Sequence, residues 1–226
     1  MGANATTTVP VYAAAEVLTA ADLNITNSGI PVFATTVTRD AAFGGAGEKT
    51  LAEGQFAYLE DTNATQYYDG SSWTSLGTTF AIFNETQAAS TNGGSITAAT
   101  WTKRTLNTTQ INQISGCSIA SSVITLGAGT YSINAQTPGD QLDNFKARLQ
   151  NTSDSTTTLF SQNAYTISSA GYATVNALIM GVFTITSAKN FELQMYSQVT
   201  SGATGLGRGV AAYTSLYSQI QIQRLA

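Results

Sequence analysis

Short β-rich runs recur from residue 96 to the end of the chain, and no helical pattern of comparable length interrupts them. They cover 101–106, 116–120, 123–126, 129–135, 144–151, 158–161, 175–185, 190–199 and 213–225. Turn residues separate them, notably Gly127-Ala128-Gly129, Pro138-Gly139-Asp140 and the glycines between Gly202 and Gly209. Closely spaced strands punctuated in this way predict an all-β fold, an antiparallel sandwich or jelly roll over 96–226.

The last run states its two faces most clearly. Side chains alternate across a strand. In 216–223 that sets Leu216, Ser218, Ile220 and Ile222 on a core face, and Tyr217, Gln219, Gln221 and Gln223 on the other. The second face is neither charged nor strongly apolar. It reads either as a solvated sheet face or as a subunit interface, where charge is depleted and tyrosine enriched.

The segments before 96 are smaller. Residues 1–31 form an arm. Met1–Thr8 is Thr-rich and expected to be ordered only if something holds it. An Ala-rich stretch from Val11 then predicts a short helix, with Val17, Leu18 and Leu23 on or near one side, stopped by Gly29-Ile30-Pro31. Helices this short are marginal in water, so these three apolar residues are candidate anchors to a partner surface. Residues 32–79 predict a small β-unit. Its first part, from Pro31 to Phe43, alternates like a strand. Phe56, Tyr58 and Glu60 alternate with Ala57, Leu59 and Asp61, with turns at 61–63 and at Asp69-Gly70 before Trp73. The connector that follows opens on an apolar stretch, 78–85, that reads as a short strand or staple, and continues as a flexible Ser/Asn/Gly-rich stretch, so a linker and domain boundary are expected over 80–95.

Composition removes several kinds of chemistry. Charged residues are 10% of the chain, against about 25% in an ordinary soluble domain. There is no His, so the commonest general base and metal ligand is missing. One Cys allows no disulfide framework and no multi-cysteine zinc site. Nine basic residues and a net charge of −4 offer little for neutralising phosphates, so no nucleic-acid partner is expected. No apolar run is long enough to span a bilayer, so no membrane insertion is expected. Met1–Val9 lacks the basic and apolar regions of a secretory signal.

The remaining candidate sites each have a plainer explanation. Gly205-Leu206-Gly207-Arg208-Gly209 lacks the Lys-Ser/Thr of a phosphate loop and reads as a flexible β-loop. Asp140, Asp143 and Asp154 could supply Ca²⁺ ligands, but they lack an EF-hand spacing, and turn chemistry explains them as well. Glu53, Glu60, Asp61 and Asp69 lie in or beside turns of a unit too small for a sugar cleft, so a carboxylate pair for glycoside hydrolysis is not expected there. Cys117 sits in an apolar run with no His to activate it. Asn-x-Ser/Thr triplets at Asn24, Asn63, Asn84, Asn107 and Asn151 are what an Asn- and Thr-rich chain produces by chance. Tyr12, Tyr67, Tyr68, Trp73, Tyr172, Tyr196, Tyr213 and Tyr217 are candidates for core or interface. An exposed member in a distal loop would suit sugar stacking or receptor contact. No catalytic residue, metal site or cofactor is predicted.

Two groups of residues resemble known families. The N-terminal EVLTAADLN, then Arg39-Asp40-Ala41, Gly54-Gln55-Phe56-Ala57-Tyr58-Leu59 and Tyr67-Tyr68-Asp69-Gly70-Ser71-Ser72-Trp73, resemble patterns in tail and fibre proteins of tailed bacteriophages. Further along come Trp101, Arg104-Thr105-Leu106-Asn107 and Gly129-Thr130-Tyr131-Ser132-Ile133-Asn134-Ala135. With Lys146-Ala147-Arg148-Leu149-Gln150-Asn151, Phe191-Glu192-Leu193-Gln194 and the terminal QIQIQRL, these resemble the C1q/TNF-like trimeric jelly roll as phages use it. No collagen-like repeat precedes the domain.

The resemblance implies a homotrimer and a virion location, with assembly in the host cytoplasm. Tyr217, Gln219, Gln221 and Gln223 are then the expected trimer interface. The expected role is a non-enzymatic appendage, a short tail fibre or receptor-binding protein held by its N-terminus with the jelly roll toward the host. Other virion proteins, and a host surface glycan or protein, are the expected partners. A trimeric capsid decoration protein is the alternative.

Overall fold

A computed structural model describes Thr7, Val9, Val17 and residues 29–225, apart from 46–47, 78 and 169–172. The helix expected after Val11 lies outside the described residues, and so do Leu18 and Leu23. Val17 is exposed. The chain divides into two units, Met1–Thr78 and Thr79–Ala226. Among the described residues no helix is long and apolar enough to cross a membrane.

The first unit is a four-stranded sheet in the order β1-β2-β3-β4 (Val32–Phe33, Phe56–Leu59, Ala64–Tyr68, Trp73–Ser75), with β1 parallel to β2 and the rest antiparallel. The hairpin and both turns lie where the alternation puts them. The strand expected over 31–43 ends at Phe33, and a short helix α1 (Thr36–Asp40) follows. Its cause is local. The Thr35 hydroxyl accepts from the Thr38 N–H, and the Thr38 hydroxyl accepts from the Thr35 N–H, so the two cap one helix end reciprocally. The helix carries Arg39 under cover, its guanidinium 4.6 Å from the Trp73 ring centre and bonded to Gln66 and Asp40. Phe33, Ala42, Ala57 and Leu59 form the small core, with Phe43 and Trp73 packed against it.

The second unit is a two-sheet jelly roll. One sheet runs β14-β10-β16-β5-β7 (Thr174–Ile185, Gly129–Asp140, Ser215–Arg224, Thr79–Gln87, Thr108–Asn112). The other runs β12-β11-β15-β9-β8 (Thr156–Phe160, Asp143–Asn151, Lys189–Ser197, Val123–Leu126, Ser118–Ala120). Two short strands add to it: β13 (Ala164–Thr166) pairs β11, and β6 (Thr102–Lys103) pairs β15. All of these pairings are antiparallel. Alternate residues of each sheet meet between them, among them Phe83, Ile124, Tyr131, Ile133, Phe191, Leu193 and Ile220. Each large apolar side chain so buried contributes about 1.5–3 kcal/mol.

Residues 80–95 are not a linker. Most of the apolar stretch at 79–87 is strand β5, hydrogen-bonded to β16 on one side and β7 on the other. Ala81 and Phe83 belong to the core. The Ser/Asn/Gly part is pinned too, since Gly93 N–H donates to Gly207 O and Ser90 N–H to Val210 O. The unit boundary therefore falls at Thr78/Thr79, ahead of the expected one. Low-complexity composition here reflects close backbone packing. A Cβ on Gly93 would lie 2.3 Å from Leu206 O.

Candidate functional site

The outward face of the β14-β10-β16-β5-β7 sheet is built by cross-strand register. One row reads Leu178, Gln136, Gln219 and Asn84 across four strands. The next reads Met180, Asn134, Gln221, Ile82 and Ile111, and a third reads Val182, Ser132, Gln223 and Phe80. No charged residue stands in any row. The middle is amide and hydroxyl, and both margins are apolar. On β14, Leu178, Met180 and Val182 are exposed, Met180 at 67%. Their neighbours Ala177 and Ile179 face inward and are buried. On the opposite margin Phe80, Ile82 and Ile111 are half-buried.

Three amides at one end of the face are linked to one another. Gln219 Nε2 donates to Asn84 Oδ1 at 3.0 Å, and Asn84 Nδ2 donates to Gln110 Oε1 at 3.1 Å. Such a ladder fixes side chains that would otherwise lose rotamer freedom on docking.

Gln219, Gln221 and Gln223 lie on this face as expected. Tyr217 does not lie open on it. It is 6% exposed, its hydroxyl donates to Thr91 O at 2.6 Å, and its ring packs where a Gly207 side chain would stand. Leu216, expected in the core, is 51% exposed. Both corrections have one cause, a register shift between Leu216 and Gln219 opposite β5. An extra residue in one strand reverses the in/out phase beyond it. The apolar margins were not visible in the alternation. Leu178, Met180 and Val182 lie inside a run of nearly continuous apolar residues, and only pairing separates its two faces.

At one end of the face a cavity of about 250 Å³ is lined by residues including Gln136, Pro138, Asn176, Arg208, Leu216 and Tyr217. The Gly205–Gly209 loop closes it. That loop is packed and not the flexible one expected. Leu206 is buried, Arg208 Nη2 is 2.9 Å from the buried Asp140 Oδ2, and Gly207 has φ +122°. Arg104 reaches the same loop from within. Its Nη2 donates to Leu206 O at 2.7 Å, and its Nε donates to Glu85 Oε2 at 2.8 Å. Burial lowers the Arg104 pKa, and Glu85 opposes that shift.

The other candidate residues do not assemble. Asp140 pairs with Arg208, Asp143 Oδ1 accepts from Ser168 N–H, and Asp154 pairs with Lys189 at 2.7 Å. Among the described residues no three acidic or cysteine side chains cluster so as to hold a metal ion. The Asp69 carboxylate accepts from the Ser72 and Ser71 N–H groups and the Ser71 hydroxyl, which hold its pKa well below the usual carboxylate range. Burial pushes the Cys117 thiol up to about 11, where almost no reactive thiolate exists at neutral pH.

No protein-family model matches the chain, and no curated protein resembles it in sequence. Among solved structures it is similar to murine APRIL at pH 8.5, at 9% identity over 66% of this chain and 100% of that one, TM-score 0.45. It is also similar to the globular domain of zebrafish complement 1qA protein, at 12% identity over 66% and 97%, TM-score 0.40. A third similar structure is the PRD1 vertex protein P5, at 17% identity over 66% and 96%, TM-score 0.35.

Proposed function

We propose that the chain is a non-enzymatic structural protein of a virion. It acts as a homotrimeric appendage, a short tail fibre or receptor-binding protein, with the N-terminal segment on the particle and the jelly roll toward the host. The observation that carries the trimer is the uncharged outer sheet face, with exposed Leu178, Met180 and Val182 along one margin and Phe80, Ile82 and Ile111 along the other. Two different apolar margins on one face suit a heterologous contact, in which the β14 side of one copy meets the β5/β7 side of the next and the ring closes. The Gln219, Gln221 and Gln223 column then lies toward the axis, where amides satisfy one another without like-charge repulsion.

The non-enzymatic reading is supported by the missing His, by a thiol with no activating partner, and by carboxylates already engaged in turns and ion pairs. The phage assignment is supported by the motifs at 39–41, 54–59 and 67–73. Antibody labelling of particles, imaged by electron microscopy, tests it. Label on tails is the expected result. Label on heads transfers the chain to the decoration role, and particles without label overturn a virion location.

A further inference from the structure

The opposite face of the jelly roll, the outside of the seven-stranded sheet, collects aromatic and basic side chains. Arg148 on β11 lies with its guanidinium 4.1 Å from the Trp101 ring centre, and Lys146 Nζ lies 4.6 Å from that of Phe160. Trp101 also packs on Tyr196, with ring centres 5.4 Å apart. Phe160 is 53% exposed and Tyr165, beside Asn144 one step along the same sheet, is 56% exposed. The two rings flank Lys146.

The charges here are not balanced. Lys103 is matched by Glu192 at 3.3 Å. Lys146 and Arg148 have no carboxylate within ion-pair distance among the described residues. Arg148 Nε is held by Gln194 Oε1 at 2.9 Å and its Nη1 by Thr157 Oγ1 at 3.1 Å, and among the described residues Nη2 has no hydrogen-bond acceptor. Glu192, shared with Lys103, acts on Arg148 only from a distance, through Gln194. In a chain of net charge −4, three cations on one face with a single nearby carboxylate are a local exception.

We propose that this face binds an acidic polysaccharide. An acid group of the sugar lies between Lys146 Nζ and Arg148 Nη2, where charge-assisted hydrogen bonds are strongest. Pyranose faces lie against the open sides of Phe160 and Tyr165, and the amide of Asn144 meets the sugar hydroxyls. The chemistry favours a sugar over a nucleic acid, because two cations neutralise too few phosphates for a polynucleotide. Aromatic side chains with a cation beside them form a preordered platform, as the Arg148 bonds show. The proposal rests on the host-facing reading above and names the chemistry that reading leaves open. A trimer would present three such faces on its outside, and weak single contacts would add by avidity.

The test is calorimetric or biolayer titration of the full-length protein with oligogalacturonate, with dextran of equal length, and with a DNA duplex. Saturable binding of oligogalacturonate alone is expected, weaker at high salt, with at least a tenfold loss in Lys146→Gln and in Arg148→Gln. Arg148 also holds Gln194 and Thr157, so Lys146→Gln, which breaks no hydrogen bond among the described residues, is the decisive variant. Equal binding of dextran, tighter binding of the duplex, no saturable binding, or binding unchanged in Lys146→Gln overturns the proposal. Particle labelling separates the two ideas. Labelled tails without oligogalacturonate binding defeat this inference alone, and binding by a protein absent from particles defeats the host-facing reading alone.

Discussion

Arg104 Nη2 lies 2.7 Å from Glu85 Oε2, and neither side chain reaches solvent. The pair ties β5 to the loop at Leu206, at the end of the sheet where β16 shifts register. Among the described residues Glu85 Oε1 has no hydrogen-bond partner, so the acid is only half compensated. Removing Arg104 alone strands a buried charge. Arg104→Leu is expected to cost about 3–5 kcal/mol in urea unfolding. The double variant Glu85→Leu with Arg104→Leu is expected to lose clearly less. Equal losses in the single and double variants would contradict this.

Gly207 is held at φ +122°, and a Cβ there would lie 2.4 Å from Tyr217 Cδ1. Gly207→Ala therefore combines backbone strain with a clash that moves Tyr217 off Thr91. Its expected cost is about 1–3 kcal/mol, read as a lower Tm. An unchanged Tm would mean the loop yields freely.

Most strands of the jelly roll were legible because one face of each is buried and the other is not. The alternation in 144–151 and 190–199 appears in β11 and β15 almost residue for residue. The same rule failed where pairing, and not periodicity, decides. β5 has the composition of a short apolar stretch leading into a Ser/Asn/Gly-rich connector, yet it is a central strand with Phe83 and Glu85 core-facing. Tyr217 and Leu216 exchanged faces because a register shift has no signature in the strand that carries it. The exposed margin of β14 was hidden because Leu178, Met180 and Val182 look no different in sequence from Ala177 and Ile179.

Asp69 is expected to make the stability of the first unit depend on acid pH. Its folded pKa lies below its ordinary value of 3.8, so the fold binds the ionised form better. The stabilisation is fully present above pH 3.8 and is lost as pH falls through the folded value. The stability gap between the parent and Asp69→Ala is expected to be widest at neutral pH and to narrow below 3.8. A gap independent of pH from 7 to 2 would contradict the assignment.

Truncation should discriminate the two units. A chain starting at Thr79 keeps β5 between β16 and β7, and is expected to fold and trimerise yet fail to join particles. A chain starting at Ile96 loses Phe83 and Glu85 and is expected not to fold. Circular dichroism and particle incorporation read the two outcomes. Normal incorporation of the Thr79 chain would put the anchor in the jelly roll and favour the decoration role.

In the proposed trimer, the uncharged face of the β14-β10-β16-β5-β7 sheet joins three copies. Multi-angle light scattering at micromolar concentration tests it directly, on the full chain and on Met180→Lys and Gln221→Glu. A mass three times the 23.6 kDa of one chain is expected for the parent. Both variants are expected to dissociate, Gln221→Glu more deeply at low salt, where like charges meet near the axis. A monomeric parent protein, or a trimer that neither substitution weakens, would contradict it.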